Sequence, residues 1–370
     1  MTIAVITTLG DNLIKAKMIP LSRVPDVEEI CFVTDAAGPK IDKVRYFIPP
    51  GWVYVISLHK SMAKFLVLLY VVMVKKPSIV MAYNVLPHGY SAWFAGKLAG
   101  RKIFQHLIGG RSDVVTEPET SDNSLIRMFP AFCRLTTAIN LWIIRHSDLV
   151  FVPGKVTREA VTREFGIPPT KVVVLHSTID TERFSPREGE RAYDLILVGR
   201  LCRRKRVDLF LKCLAIVKKG FPQVQAAIMG EGPAKEHLLS LCCDLQLSDN
   251  VHFLGYRKDM ENYYNSARIF VLTSAFEGLS CASMEAMACG LPAVVPDVGD
   301  MREVAVDEQT GYCVSRYDDP EEYALKISQL LADHEMLREC SVNSAALISR
   351  EHSFHSAQES WAGILHSLVN

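Results

Sequence analysis

Short apolar runs alternate with longer amphipathic stretches through most of the chain, and this alternation constrains the fold more than any other feature. The apolar runs are rich in Val and Ile, which is typical of strands buried on both faces of a parallel sheet. The pattern therefore predicts an α/β protein with helices on both sides of its sheets. The candidate strands are 3–7, 30–34, 78–83, 102–107, 149–153, 194–198, 225–229, 251–254, 268–273 and 293–296. The candidate helices include 89–100, 154–166, 203–219, 234–246 and 281–289.

A polar, charged segment with no apolar run, "DTERFSPREGERAY" at 180–193, divides this pattern into two similar halves. The length of 370 residues also suits about two domains. We predict two Rossmann-like, doubly wound domains, with residues 1–180 in the first, 181–193 as linker and 194–350 in the second. In such folds ligands bind at the carboxyl ends of the strands, here in the crevice between the domains.

The charge balance argues against nucleic acid as a partner. The chain has 41 Lys and Arg and 41 Asp and Glu, a net charge of zero, so it offers no overall attraction to a polyanion. The charges are unevenly distributed, because residues 1–190 carry a net of +6 and residues 191–370 a net of −6. This asymmetry has two interpretations. It is either a chance difference in composition between two domains, or it indicates that the first domain binds an anionic surface or acceptor.

Three features bear on where the protein works. The N-terminal segment "MTIAVITTLGDN" has no basic region before its apolar residues and is expected to be a buried strand, not a signal peptide. The longest apolar run, ten residues at 65–74, is shorter than the ~20 that span a bilayer. Ten scattered cysteines form no Cys-x-x-Cys pair, which favours small core side chains in a reducing compartment. A cytoplasmic protein is expected.

The segment 56–76 leaves two interpretations open. Its apolar run is flanked by Lys60, Lys64, Lys75 and Lys76. Apolar side chains with neighbouring cations are typical of a helix at an anionic membrane surface, which would place the protein on the cytoplasmic face of the membrane. A helix that is hydrophobic all round is equally typical of one buried beside a sheet.

The first chemical signal is a basic loop after the strand at 194–198. Gly199 and Arg200 follow this strand, and the run "RRKR" at 203–206 precedes the next helix. Arg offers a forked donor and Lys a point charge, and both suit a diphosphate. A merely solvated helix start is the alternative, but cations are unfavourable at a helix N-terminus unless an anion joins them.

The second chemical signal follows the strand at 268–273. Glu277 lies in a loop, and the backbone N–H groups of 278–280 lie at the start of the helix 281–289, where a phosphate finds unpaired donors. Glu285 is just over one turn inside this helix. Two carboxylates at this separation can bind different hydroxyls of one extended ligand, although a single Glu at a helix start is more often a cap.

From Asp194 to about Leu331 the chain resembles retaining glycosyltransferases of family 4, group 1, which have the GT-B fold. Glu277 and Glu285 match that family's two glutamates, which have seven residues between them. The resemblance implies two domains that face each other across a cleft, with residues 351–370 packing back on the first. The matching pieces are "VGRL" at 198–201 followed by Lys205, "IMGEGP" at 228–233, "VHFLGY" at 251–256, "SAFEGLSCASMEAMACGLPAVV" at 274–295 and "DEQTGYCV" at 307–314.

The resemblance also implies roles for individual residues. Arg200 and Lys205 would bind the diphosphate of a nucleotide-sugar, Glu277 the hexose hydroxyls and Glu285 the ribose. The other donor-binding positions would be Gly10, Gly230, Glu231, Gly232, Gly278, Leu279 and Ser280. Cations and helix dipoles can neutralise a leaving diphosphate without a metal. The chain contains no Asp-x-Asp, so we expect no metal and no cofactor beyond the nucleotide-sugar substrate, of UDP or GDP type.

The first half departs from the family pattern. Aligning 87–115 on Gly109 places Ile108 where the family customarily has His. His106 lies two residues earlier, on the same face of the strand, and is the candidate catalytic histidine. A buried core histidine is the alternative. Gly10 is a single glycine where the family commonly has a pair.

These features predict a retaining, metal-independent glycosyltransferase. It would move a hexose-type sugar to a hydroxyl of a glycan or lipid-linked acceptor, in the assembly of a cell-surface glycan or glycolipid. The alternatives are a non-catalytic GT-B relative that acts as a scaffold and a nucleotide-sugar epimerase. An epimerase would need a dedicated acid and base near the sugar carbon, and the sequence makes neither evident.

Overall fold

The computed structural model describes residues 1–57, 59–115 and 130–369, and the chain divides into two units. Unit 1 consists of Met1–Thr178 with Phe354–Asn370, and unit 2 of Ile179–Ser353. Each unit contains a sheet in which every strand pair is parallel. The α/β class with parallel sheets is therefore confirmed.

Unit 1 is built on a sheet with the strand order β3-β2-β1-β4-β5-β6-β7. The order reverses next to β1, as in doubly wound folds. The strands are β1 (Thr2–Ile6), β2 (Glu29–Val33), β3 (Val44–Phe47), β4 (Ile79–Tyr83), β5 (Lys102–His106), β6 (Leu149–Val152) and β7 (Val172–Val174). The helices are α1 (Asp11–Ser22), α2 (Gly51–Ser57), α3 (Lys60–Lys75), α4 (Tyr90–Leu98), α5 (Pro130–Arg145) and α6 (Lys155–Arg163).

Unit 2 repeats the plan with the strand order β10-β9-β8-β11-β12-β13. Its strands are β8 (Tyr193–Val198), β9 (Ala226–Met229), β10 (Val251–Gly255), β11 (Ala267–Val271), β12 (Ala293–Pro296) and β13 (Gly311–Val314). The helices are α7 (Val207–Gly220), α8 (Lys235–Asp244), α9 (Met260–Asn265), α10 (Cys281–Ala288), α11 (Pro320–Ala332) and α12 (His334–Glu351). A last helix, α13 (Phe354–Val369), returns to unit 1.

The strands that apolar runs did not predict are β3, β7 and β13, and all three are edge strands of their sheets. An edge strand has one neighbour only, and β3 is only half-buried along its length. β3 contains alternating polar and apolar residues, β13 begins with a glycine, and β7 is an apolar run of only three residues. Each is too short or too mixed to be distinguished as a buried strand by its pattern.

The helix predicted at 203–219 begins four residues later, at Val207. Residues 203–205 form a separate 3₁₀ turn, and Arg206 adopts the left-handed conformation with φ of +50°. A non-glycine residue in that region interrupts a right-handed helix. The basic run therefore lies in a turn before the helix and not in its first turn.

The polar segment 180–193, which contains the predicted linker 181–193, is fully described and has no helix or strand before Tyr193. It is nevertheless anchored to unit 2. The side chain of Phe184 is buried in the core of that unit, and Nη2 of Arg183 lies 2.7 Å from Oε2 of Glu261. The division between the units falls between Thr178 and Ile179.

Helix α3 is buried on one face only. Leu68, Val71 and Val72 pack on the sheet, whereas Tyr70 and Met73 are exposed. The interpretation of Lys64 as a cation that faces a membrane is wrong, because its side chain is buried. Among the described residues, no helix alone has the length and hydropathy to cross a bilayer. Helices α2 and α3 have the required length and hydropathy only when they are taken together, and a bend of 117° separates them.

Helix α13 contributes to the core of unit 1. The side chains of Trp361 and Leu365 are buried in it, and the Trp361 ring centroid lies 5.2 Å from that of Phe151 and 5.7 Å from that of His106. The end of the chain thus stabilises the unit that contains its beginning.

We expect Trp361→Ala to lower the free energy of unfolding of unit 1 by about 3–5 kcal/mol, because it leaves a cavity in a packed aromatic cluster. Urea unfolding followed by circular dichroism measures this change. The control is Ser360→Ala on the exposed side of the same helix, with an expected effect within about 0.5 kcal/mol. Equal effects of the two substitutions would show that α13 does not belong to this core.

Candidate functional site

An ion pair in unit 2 joins two residues that the sequence singled out separately. Nζ of Lys205 lies 2.5 Å from Oε1 of Glu277, and each side chain is only 12% exposed. A Lys ammonium has three donors, so Lys205 can bind a second anion without releasing Glu277. Glu277 thus fixes the position of the Lys205 ammonium, although the pair itself carries no net charge.

The pair forms because the loops after two neighbouring strands are hydrogen-bonded to each other. Strands β8 and β11 are adjacent and parallel, so both loops emerge at the same edge of the sheet. The hydroxyl of Thr273 donates to the backbone oxygens of Lys205 and Arg206, at 3.0 and 2.9 Å. The backbone N–H of Ala275 donates to the oxygen of Arg204 at 2.9 Å. These bonds fix the basic turn beside the loop that carries Glu277.

Glycines allow the loop after β9 to lie directly on the loop after β8. A Cβ at Gly230, where φ is +136°, would overlap the carbonyl oxygen of Gly199, and one at Gly232 would overlap that of Leu201. The backbone N–H of Leu201 donates to the oxygen of Glu231 at 3.0 Å. The two loops predicted to contact the donor are therefore in direct contact with each other.

The charged side chains of these loops differ in exposure. Arg200 is exposed, whereas Arg206 is only partly exposed and forms an ion pair with Asp318. The side chain of Glu231 is about half exposed, and its Oε1 lies 2.9 Å from Nζ of Lys235. The two predicted anion-binding residues therefore differ. Arg200 is exposed to solvent, whereas Lys205 is held in place by Glu277.

The loop 278–280 is closely packed. Gly278, Leu279 and Ser280 are buried, and Gly299, with φ of +56°, has no room for a Cβ against the Glu277 carbonyl. The Ser280 hydroxyl caps α10 by accepting from the N–H of Ser283 at 3.4 Å. The N–H of Ser280 itself points at the sulfur of Met301, which is a weak acceptor.

Glu285 is held in a different environment from Glu277. Burial raises the pKa of Glu285 to about 7, although the hydroxyl of Tyr264 donates to its Oε2 at 3.1 Å and Arg183 adds a favourable charge. The negative charge of Glu261 also raises the pKa of Glu285, as burial does. The group is therefore part protonated near neutral pH, and ligand hydroxyls that donate to the carboxylate would favour its ionised form.

This raised pKa predicts a pH-dependent stability difference. Between the ordinary pKa near 4.5 and about 7, the folded chain holds a proton on Glu285 that the unfolded chain has lost, so stability falls as pH rises. Glu285→Gln removes this loss. We expect the variant to match the native protein at pH 4.5 and to exceed its free energy of unfolding by about 2–3 kcal/mol at pH 8.

Urea unfolding at several pH values measures that difference. Glu231→Gln, at a carboxylate that is half exposed, is the control and should show no such trend. If the free energy of unfolding of Glu285→Gln changes with pH in parallel with that of the native protein from pH 4.5 to 8, the raised pKa of Glu285 is contradicted.

His106, the candidate catalytic histidine, is enclosed in unit 1. Its ring stacks on Phe151 at 4.5 Å and lies 4.4 Å from the ring of Tyr83, and its Nε2 lies 2.8 Å from the sulfur of Met81. Burial lowers its pKa well below the usual value. It borders a cavity of only about 10 Å³. This placement favours the interpretation of His106 as a core residue.

Gly10 precedes α1 in an extended conformation that any residue can adopt, with φ of −73°. In the described part of the chain, no atom lies within 4 Å of the place where its Cβ would be. The fold of unit 1 therefore does not itself require glycine at this position.

Motif reasoning missed a polar cluster in unit 1. Nζ of Lys64 lies 2.8 Å from Oδ2 of Asp35 and 3.1 Å from Nε2 of His88, and it also contacts the hydroxyl of Thr8. Burial and the charge of Lys64 lower the pKa of His88 to about 4, so its ring is neutral at physiological pH. Thr8, Asp35 and His88 follow β1, β2 and β4. The rule that sites lie at the carboxyl ends of parallel strands would have located them.

Within residues 1–57, 59–115 and 130–369, no three His, Cys, Asp or Glu side chains converge so that they could hold a metal ion. The expectation of metal-independent chemistry stays a prediction.

Comparison with known families confirms the resemblance to group 1 glycosyltransferases, whereas membership of family 4 and transfer with retention stay predictions. The family model described as glycosyl transferases group 1 matches residues 178–346, which cover nearly all of unit 2. The Lys205–Glu277 pair, Glu285 and the glycine-rich loops all lie in this match. Unit 2 is therefore the part of the chain that is similar to group 1 glycosyltransferases.

Curated relatives match from about half to about four-fifths of the chain. An Escherichia coli UDP-Gal:alpha-D-GlcNAc-diphosphoundecaprenol alpha-1,3-galactosyltransferase is 25% identical over 79% of this chain and 77% of its own length. A Campylobacter jejuni N-acetylgalactosaminyltransferase, which acts on a diphospho-undecaprenol glycan by its name, is 29% identical over 45% of this chain. The match to the latter spans about half of its length, 47%.

Solved structures share the fold of the whole chain. Anabaena HepE, solved in complex with UDP and glucose, has a TM-score of 0.76 at 18% identity and covers 99% of both chains. Sucrose-phosphate synthase of Thermosynechococcus elongatus has a TM-score of 0.79 at 17% identity and covers 100% of this chain and 99% of its own. At such identities the likeness shows the fold alone, which is that of GT-B glycosyltransferases.

Proposed function

We propose that this chain, whose unit 2 is similar to group 1 glycosyltransferases, moves a hexose-type sugar from a nucleotide-diphosphate sugar to a hydroxyl of a glycan or lipid-linked acceptor. The Lys205–Glu277 pair beside Arg200 is the observation that carries the proposal. It fixes an ammonium group at the carboxyl edge of a parallel sheet, where such folds bind ligands, and Arg200 supplies the net positive charge. The names of the two lipid-diphosphate relatives support this class of acceptor.

The exposure and the charge of each side chain suggest which part of the substrates it would bind. Lys205, held by Glu277, and Arg200, exposed beside it, would stabilise the charge that develops on the leaving diphosphate. The free oxygen of Glu277 would accept from sugar hydroxyls, and the Glu285 carboxylate from the ribose. Unit 1 would bind the acceptor, with its cluster of Thr8, Asp35 and His88 at the carboxyl ends of the strands.

We propose transfer with retention by attack on the same face of the sugar. The bond from the anomeric carbon to the phosphate oxygen breaks, and a bond from that carbon to the acceptor oxygen forms. The proton of the acceptor hydroxyl passes to the leaving phosphate oxygen. A carboxylate nucleophile is the alternative route, but Glu277 is engaged by Lys205 at 2.5 Å, which makes its oxygen a poor nucleophile.

Substitutions at the pair should damage transfer more than folding. We expect Lys205→Ala and Arg200→Ala each to lower kcat/KM by about 30- to 1,000-fold, because each supports charge present mainly in the transition state. Glu277→Gln should also lower kcat/KM, with little effect on stability. Release of nucleoside diphosphate from UDP- and GDP-sugars, with and without acceptor, measures the effect.

Arg203→Ala, at an exposed cation of the same turn, is the matched control and should retain activity. A Glu277→Gln protein that stays fully active but unfolds at a lower temperature would make this residue structural. No release of nucleotide by the native protein would favour the scaffold alternative.

We also propose that unit 1 associates with an anionic membrane surface. Contiguous exposed apolar surface is typical of protein and membrane interaction sites. Helices α2, α3 and α4 of unit 1 carry ten exposed apolar side chains. They are Trp52, Val55 and Ile56 of α2, Met62, Leu66, Tyr70, Met73 and Val74 of α3, and Phe94 and Leu98 of α4. We call these ten residues the apolar patch.

The charge of the surrounding chain suits anionic lipid. Residues 43–112 contain ten Lys and Arg and no Asp or Glu. Lys60 and Lys97, on the helices that carry the patch, are exposed. Cations near an anionic bilayer contribute ~1 kcal/mol each, and apolar side chains in the interface add to this.

We expect the protein to co-sediment with anionic liposomes at low salt and to be released at high salt. A Lys60→Glu, Lys97→Glu variant should bind much less at low salt. The matched control carries the same charge change at two exposed lysines of unit 2, Lys212→Glu and Lys219→Glu, and should bind like the native protein. Native protein that stays in the supernatant at low salt would contradict the proposal.

A further inference from the structure

Unit 1 contains a cavity outside the candidate site, between the end of β3 and the helices α2 and α3. Its volume is about 630 Å³, which lies within the ~300–1,000 Å³ typical of small-molecule sites. Phe47, Ile48, Val53 and Val67 form part of its wall. A cavity of this size with an apolar wall is suited to an apolar ligand.

The polar groups around the cavity are few. Among the described residues that line it, Arg45 alone carries a charge. The hydroxyl of Tyr46 already donates to the carbonyl of Pro39 at 2.8 Å. A ligand with polar groups along its length would leave them unpaired, so the lining selects a hydrocarbon over a sugar or a nucleotide.

Arg45 gives the cavity a positive end. Its side chain is 65% exposed, with the guanidinium 5.5 Å from the Phe47 ring centroid. Its one carboxylate neighbour in the described residues, Glu29, lies 4.0 Å from Arg45 and also pairs with Lys75 at 3.1 Å. Two cations share one carboxylate, so an anionic group at this end would be favoured.

The cavity is continuous with the apolar patch. Trp52, Ile56, Leu66 and Tyr70 line the cavity and are also exposed members of that patch. An acyl or isoprenoid chain could therefore pass from a bilayer into the cavity without crossing a polar surface. This continuity, with the positive charge at Arg45, distinguishes a lipid chain from a second copy of this protein as the occupant.

We infer that this cavity binds the hydrocarbon chain of an anionic amphiphile, with the phosphate or other anionic head at Arg45. The inference rests on the proposed lipid-linked acceptor for its role in the reaction, because holding the chain would retain such a substrate on unit 1. The binding itself depends on neither membrane association nor transfer, so it can be tested without donor and without vesicles.

The probes are n-alkyl phosphates from hexyl to dodecyl, each below its micelle concentration, titrated calorimetrically into the native protein. Each methylene that enters the cavity should tighten binding by about fourfold. Leu66→Trp fills the cavity while the surface stays apolar, and should weaken binding of the dodecyl probe at least tenfold. Met62→Trp, one turn away on α3 and exposed but not lining the cavity, is the matched control and should leave binding unchanged.

Arg45→Gln tests the position of the head group. It should weaken binding of dodecyl phosphate by about three- to tenfold and leave binding of the uncharged dodecanol unchanged. Affinity that does not depend on chain length would overturn the inference, as would equal losses from Leu66→Trp and Met62→Trp. If the native protein sediments as a dimer and dodecyl phosphate does not dissociate that dimer, the cavity belongs to an interface with a second copy instead. Failure of nucleotide release with intact chain binding would overturn only the proposed transfer.

Discussion

The ion pair between Lys205 and Glu277 is the interaction on which the chemistry of unit 2 depends. Two partly buried charges lose hydration that their mutual attraction repays only with good geometry. Here the geometry is supplied by the sheet, because β8 and β11 are adjacent and the Thr273 hydroxyl joins the loops that follow them. The glycines at 230 and 232 then bring a third loop against the first. Protein contacts thereby fix the Lys205 ammonium in place, which is the condition for electrostatic stabilisation of a leaving group.

The sequence predicted the parts of this site better than their arrangement. The motifs around Lys205, Glu277 and Glu285 are local, and local patterns identify residue types and loop positions. That Lys205 pairs with Glu277, 72 residues away, depends on the order of the strands, which no local pattern contains. The edge strands β3, β7 and β13 were missed because they are only three or four residues long, which is too short for a local pattern to identify.

Unit 1 shows where side-chain type alone is ambiguous. The apolar run at 65–74 suited both a membrane-surface helix and a buried helix, and α3 has one buried and one exposed apolar face. Lys64 lies on the buried face because Asp35 and His88 meet it at the carboxyl edge of the sheet. His106 lies on a strand in the core, where Tyr83, Phe151 and Trp361 surround its ring. One of these rings comes from α13, so the enclosure of His106 requires a contact from the far end of the chain.

The binding of free nucleoside diphosphates by the native chain is the most direct measurement of donor recognition in unit 2. UDP, GDP and ADP are compared by urea unfolding and by calorimetric titration. A diphosphate at 100 times its dissociation constant should raise the free energy of unfolding by about 2.7 kcal/mol, and we expect UDP or GDP to do so. Lys205→Met should weaken the binding of the same diphosphate at least tenfold and leave the binding of the corresponding nucleoside unchanged. If none of the three diphosphates binds the folded protein, or if Lys205→Met binds them as tightly as the native chain does, this site does not recognise a nucleotide-sugar.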